Sequence, residues 1–405
     1  MRRALVLLSG AAALALAGCS SGGSGDPTFA PSPGRSAIEG SGGVAIQPIL
    51  PVPSGNGAST GGGGGGGGGN SSTSSAKKGD PLVVATKLAA PVGVTLLPDG
   101  TALVGERTTG RIVRVQPVAG RPVPTVRTLV GLDTAGDGGL LDLALSPTYV
   151  EDNLIYAYIT TPTDNRVVTF TLTGPVTPVL TGIPKGRTGN TGRITFDREG
   201  MLDVGTGDAG HPSLAADPSS LAGKVLRISD IGRPAAGNPR PSSPVFTTGH
   251  HDVDGLSVLP GSSSLVEVED GANGRPGELN LIAKGAYYGY PATNGSQRAA
   301  LAELPAGYAG PGGCAVQGPR VYVTSLGGLG LLSAPFTGAG DKLKVGKFTV
   351  ALKNMYGRLR TVFAAPDGAL WLTTSNRDGK GKPVPADERV IRYVPNGGGS
   401  DNSPL

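Results

Sequence analysis

Short apolar runs recur from about Asp80 to Pro395, and Gly, Pro, Asp and Asn separate them. Helical spacing is nearly absent, so the runs predict strands joined by tight turns. A repeat is visible: one apolar run, a turn, a second run, then often a third run led by a basic residue. The first copy is 93–97, the turn Pro98-Asp99-Gly100, then 102–104 and 111–115. The last is 360–364, the turn Pro366-Asp367-Gly368, then 370–372 and 389–393. Between them lie 143–145 with 154–158 and 166–170, and 193–196 with 202–204 and 224–228. The next copies are 256–259 with 264–268 and 278–282, then 314–316 with 320–323.

The turns fall near residues 99, 149, 199, 261, 318 and 367. Six units of three to four strands at about 50–60 residues each predict an all-β chain folded as a six-bladed β-propeller. The segment 83–86 precedes the first copy and is placed to complete the last blade and close the ring. An open β-solenoid or a pair of sandwiches is the alternative architecture. Function on a propeller is expected at one mouth of the central channel.

The two ends differ in texture. Arg2 and Arg3 precede an apolar stretch from Ala4 to Leu16, which is short for a membrane-spanning helix. Leu16-Ala17-Gly18-Cys19 follows and looks like a bacterial lipobox. The expectation is a lipoprotein signal peptide at 1–18, with Cys19 carrying lipid on the extracytoplasmic face of a cell membrane. An ordinary secretory signal cut after Gly18 is the other reading. Residues 19–79 are dominated by Ser, Gly, Pro and Asn and include nine consecutive glycines from Gly61 to Gly69. Such a segment cannot offset the entropy of ordering and reads as a disordered tether with a reach on the order of 40–45 Å. The folded domain is set at 80–397, with a disordered tail at 398–405.

Formal charge is +5, and removing 1–18 takes away two arginines. Basic residues are scattered, so no nucleic-acid partner is expected. The chain has two cysteines. With Cys19 lipidated, Cys314 stands alone, and it reads as a small buried hydrophobe. The propeller protects its own strand edges, so a monomer is expected. Within 80–397 neither a Gly-x-Ser-x-Gly elbow nor a His-Glu-x-x-His or Cys-x-x-Cys pair occurs.

Several stretches resemble one family. They are Gly136-Asp137-Gly138-Gly139-Leu140, Gly205-Thr206-Gly207-Asp208-Ala209-Gly210, and Gly249-His250-His251-Asp252. Further on are Gly277-Glu278-Leu279-Asn280, Tyr288-Gly289-Tyr290-Pro291, and Arg358-Leu359-Arg360. Together they are similar to soluble glucose/sorbosone dehydrogenases, and to a subgroup of actinobacterial surface lipoproteins. The resemblance implies a six-bladed propeller that oxidises sugars with pyrroloquinoline quinone (PQQ) and calcium.

It also implies site residues. Asp208 matches the aspartate that orients the family's base. Arg358 and Arg360 match two cofactor-binding arginines, and Gly271 and Ala272 match the carbonyls that hold calcium. Asp137 stands where the family has a glutamine. In Gly249-His250-His251-Asp252, His251 replaces an arginine and Asp252 an asparagine. Gly189 stands in place of the base histidine, and Gly327 in place of a lysine. A glycine accepts no proton, and loss of a general base costs about 10²–10⁴ in rate. Losing two cations and gaining carboxylates opposes binding of a tricarboxylate quinone.

Three readings follow. One is a catalytically degenerate binding or scaffolding lipoprotein that takes a small sugar or other envelope ligand at its mouth. Another is a PQQ- and calcium-dependent sugar or alcohol dehydrogenase with a remodelled site. The third is a metal-dependent hydrolase using His211 and His251 with Asp137, Asp208, Asp252 and Asp254.

Overall fold

The apolar runs pair into six antiparallel sheets, one per repeat. The computed structural model describes residues 80–395, apart from residue 294, together with 403–404. The first blade runs Pro91–Leu96, Ala102–Glu106, Arg111–Val115 and Thr125–Thr128 from the axis outward. The second is Leu140–Leu145, Ile155–Thr160, Asn165–Phe170 and Thr177–Ile183. The third is Gly192–Phe196, Leu202–Thr206, Lys224–Ile228 and Val245–Thr248. The fourth is Val253–Val258, Leu265–Glu269, Glu278–Leu281 and Ala302–Glu303. The fifth is built on Pro311–Gln317, Arg320–Ser325, Gly330–Thr337 and Thr349–Ala351.

The sixth blade takes Leu359–Ala364, Leu370–Thr374 and Val390–Tyr393 from the end of the domain and Val83–Ala85 from its beginning. Val83 pairs with Ile391 and Ala85 with Val390. The two ends of the domain are thereby hydrogen-bonded into one sheet and the ring closes. This is the six-bladed β-propeller, and it disposes of the solenoid and the sandwich pair.

Inner strands crowd at the axis, which explains their glycines. A Cβ on Gly255 would lie 2.2 Å from the Cys314 amide nitrogen. One on Gly312 would lie 2.2 Å from the Arg360 carbonyl oxygen. Between blades the packing is apolar. Trp371, 1% exposed, joins Val94, Val104 and Val113 of the first blade to the sixth. Burial of a side chain that large contributes roughly 2–3 kcal/mol. Cys314 is buried and free, as its apolar setting implied, and burial pushes its thiol up.

An arginine within the third strand of three blades has a partner in the turn of its own blade. Asp99 pairs with Arg114, Asp197 with Arg227 and Asp367 with Arg392. The same device ties the turn to the third strand in the first, third and sixth blades. In the sixth it is exposed, with side chains 25% and 54% accessible. Asp367→Ala is therefore expected to cost only about 0.5–1 kcal/mol, read by urea melts.

Three differences from the sequence reading stand out. The strand Gly330–Thr337 and most outer strands were not anticipated. Residues 403–404 pair by backbone with Thr349–Ala351 at the rim of the fifth blade, where a tail was expected. An uncovered strand edge offers unpaired amides and carbonyls, which accounts for that addition. Cys19, the signal segment 1–18 and the tether 19–79 lie outside the described residues. No described helix is long and apolar enough to cross a membrane.

Candidate functional site

Loops between strands gather at one mouth of the channel, over a cavity of about 940 Å³. Asp137, Asp252, Gly271, Gly327, Arg358 and Arg360 all line it. So six of the positions singled out from sequence do converge. Six basic and six acidic side chains line the cavity, so their formal charges balance.

The base position is closed as well as empty of chemistry. Gly189 has φ +70°, a conformation that disfavours any side chain. A Cβ there would lie 2.5 Å from Asp208 Oδ1 and 2.9 Å from the Ala209 amide nitrogen. The Gly189 amide donates to Asp137 Oδ2 at 2.8 Å, and its carbonyl accepts the Ala209 amide at 2.9 Å. The loop thus occupies the space a side chain at residue 189 would need. Gly327 is shut in the same way, since its Cβ would lie 2.6 Å from the Ala309 carbonyl oxygen.

Asp208 has found a different partner. Tyr290 donates its hydroxyl to Asp208 Oδ2 at 2.8 Å, and the Gly210 amide donates to Oδ1 at 2.7 Å. Burial, then the bond to Asp208, holds the Tyr290 phenol protonated well above its usual range. The His251 ring makes no bond to the Asp208 carboxylate, although the Asp208 amide donates to the His251 carbonyl at 3.0 Å. Its ring leans on Tyr290 at 4.8 Å between centroids, and its Nδ1 sits 3.2 Å from the Asp270 carbonyl oxygen. His211 is exposed and precedes the short helix Pro212–Ala216.

Of the constellation expected from His211 and His251 with four aspartates, His251 and the aspartates lie within electrostatic reach of Asp252, but His211 is exposed and no metal-sharing group forms among them in the described residues. Among the described residues, the group within metal-sharing range is instead His250, Glu267 and Glu269. The sequence reading gave His250 no role and did not single out either glutamate.

Asp252 is the least settled carboxylate at the mouth. Its Oδ1 is buried without a hydrogen-bond partner. Burial pushes its carboxyl up to about 6, against a Thr191 hydrogen bond and the nearby His251. Beneath it Asp254 is raised further, by burial and then by Asp252.

The two arginines differ. Arg358 is already engaged, donating to the Ser375 and Leu326 carbonyls and pairing with Asp378 at 2.9 Å. Arg360 keeps a buried Nε without a partner. Gly271 lines the cavity, while the Ala272 carbonyl accepts the Arg275 amide at 3.2 Å within its own turn.

With this geometry the likeness to known proteins can be placed. A profile of the family described as Glucose / Sorbosone dehydrogenase matches residues 88–325. The chain belongs to that family. Quinoprotein glucose dehydrogenase B of Acinetobacter calcoaceticus is 30% identical over 253 residues, 52% of this chain and 52% of that protein. An aldose sugar dehydrogenase of Escherichia coli is 27% identical over 227 residues, 52% of this chain and 61% of that one. This chain's matches span 52–61% of the length of its curated relatives. The PQQ-bound form of aldose sugar dehydrogenase from Streptomyces coelicolor superposes with a TM-score of 0.72 at 37% identity. That match covers 78% of this chain and 97% of the other.

The residues present fit a PQQ molecule poorly. Room is sufficient, since small-molecule sites run from about 300 to 1,000 Å³. The electrostatics are not: a tricarboxylate would meet as many carboxylates as cations, and Arg358 is already paired.

Proposed function

We propose that this family member is a lipid-anchored envelope protein, held by Cys19, whose propeller mouth binds a small polar ligand without the family's base-assisted oxidation. The carrying observation is the closure of residue 189, where Asp208 Oδ1 stands 2.5 Å from the place of a Cβ. A cavity with balanced charges suits a ligand rich in hydroxyls, such as a sugar, which needs donors and acceptors rather than net charge.

A second reading, a PQQ- and calcium-dependent sugar or alcohol dehydrogenase, has its own support. The cavity is open, and Arg360 and Asp252 each keep an unpartnered atom near it. When bound, PQQ would supply the hydride acceptor. Asp252 is the group at the mouth best suited to hold a proton, because its carboxyl titrates at about 6.

Calorimetric titration with PQQ, with and without calcium, separates the two. The binding-protein reading expects no calcium-dependent heat up to high micromolar quinone, and no dye reduction with aldoses. Tight calcium-dependent binding followed by sugar-dependent dye reduction would overturn it and establish the second reading.

A further inference from the structure

The fourth blade holds a polar cluster that the cavity does not use. Glu267 and Glu269 point to the same side of Leu265–Glu269, two residues apart, in a run otherwise apolar. Asn280 stands directly across from Glu267 on the neighbouring strand. His250 enters from the loop that follows Val245–Thr248. His250, Glu267 and Asn280 are fully buried, and Glu269 is 4% exposed.

The hydrogen bonds do not close this cluster. Asn280 Nδ2 donates to Glu267 Oε2 at 3.1 Å and to Glu269 Oε1 at 3.3 Å. The His251 amide donates to Glu269 Oε2 at 2.8 Å. His250 Nδ1, Glu267 Oε1 and Asn280 Oδ1 remain buried with no partner. Native proteins rarely leave three such atoms together, because each costs roughly 1–3 kcal/mol.

The spacing indicates what would satisfy them. His250 Nδ1 lies 3.6 Å from Glu269 Oε2 and 3.9 Å from Glu267 Oε2. Those separations are long for hydrogen bonds. Bonds of about 2.0–2.2 Å at open tetrahedral angles place the ligand atoms of one ion about 3.3–3.8 Å apart, a span that holds the first separation and falls just short of the second. The histidine is prepared for that role. Its Nε2 lies 2.9 Å from Thr247 Oγ1, so an Nε2 proton donated there leaves the Nδ1 lone pair free. Tyr288 stacks on the imidazole at 4.6 Å and fixes its plane.

We propose that His250, Glu267 and Glu269 bind one divalent transition-metal ion inside the fourth blade, with the Asn280 amide holding the two carboxylates in place. One imidazole with carboxylate oxygens suits zinc or a similar ion. Calcium takes six to eight oxygen ligands and is poorly matched. The closed, buried donor set makes the site structural. It would tie the second strand of the blade to the loop bearing His251 and Asp252, and so brace one side of the mouth. The inference does not depend on what the mouth binds.

Metal analysis of the purified protein, prepared without immobilised-metal chromatography, is the test. About one equivalent of a transition metal per chain is expected. A strong chelator should remove it and lower the melting temperature, and zinc should restore both. Glu267→Gln should weaken zinc uptake by about tenfold or more. No zinc uptake by chelator-treated wild-type protein at micromolar concentrations would overturn the proposal. So would stoichiometric zinc that folded Glu267→Gln retains unchanged. The wild-type titration decides even where the variant does not fold.

Discussion

Arg193→Met should lower the stability of the propeller by about 3–5 kcal/mol, the largest loss expected from a single change in the channel. The side chain crosses the axis and is 6% exposed. Its Nε donates to the Asp254 carbonyl at 2.6 Å and one NH2 group to the Gly312 carbonyl at 2.6 Å. The other NH2 group stands 3.9 Å from Asp142 Oδ1. One guanidinium therefore links the second, third, fourth and fifth blades. Methionine fills similar volume but leaves two carbonyls without this donor and the buried Asp142 without its countercharge, while Asp254 keeps Arg360. Burial already pushes Asp142 up to about 6, with Arg193 as the main force opposing it. Removing Arg193 drives that carboxyl higher still, so the loss should be worst above pH 6, where it must ionise. Urea melts at pH 5 and pH 8 measure this. Adding Asp142→Asn should recover part of the loss at pH 8 and little at pH 5. Equal stability of wild type and Arg193→Met at pH 8 would show that the channel charges are not coupled in this way.

The inner strands were readable because they alternate around sharp turns, and because each blade repeats the same order. Closure by Val83–Ala85 was readable for the same reason: a strand-like run preceded a blade that lacked its fourth member. Outer strands were not. Thr125–Thr128 is half-buried or exposed along its whole length, so no face is marked by apolar residues. At the mouth, family motifs flagged Gly189 and Gly327 as substitutions. They did not disclose that backbone and carboxylate stand where a side chain at those positions would extend, which is a property of loops brought together by the ring. The Tyr290–Asp208 bond joins residues 82 apart in sequence and left no local sign. Glu267 and Glu269 did leave one: two acids at alternate positions of an apolar strand, both facing inward, require partners. Their meeting with His250 was set by loop geometry, which spacing alone does not fix.

Asp252→Asn should stabilise the protein at neutral pH by about 1–3 kcal/mol and flatten its stability profile between pH 4 and 6. The sign follows from proton binding. In the unfolded chain an aspartate titrates near 3.9. In the fold, burial pushes Asp252 up to about 6. Between those values the folded state holds a proton that the unfolded state has released, so stability falls as pH rises through the window. Below about pH 4 both states are protonated and the penalty vanishes. Above about pH 6 it is present in full, at roughly 1.4 kcal/mol for each unit of separation, reduced by water reaching the carboxyl from the cavity. Asparagine keeps the shape and carries no charge at any pH. Neutralising residue 252 also relieves Asp254, which it repels. Wild type and variant should therefore have similar stabilities at pH 3.5 and diverge as the pH rises to 7. A natural chain that keeps a destabilising carboxylate where its family resemblance implies an asparagine has reason to do so at the mouth, and ligand binding is where the cost would be recovered. The same variant also tests function. Removing one negative charge makes the cavity walls net positive, so affinity for an anionic probe such as PQQ should rise, while a ligand recognised through the Asp252 carboxylate should be lost. Parallel stability profiles of wild type and variant from pH 3.5 to 7 would mean that Asp252 titrates in the fold as it does in the unfolded chain, and the mouth would then hold its charge without strain.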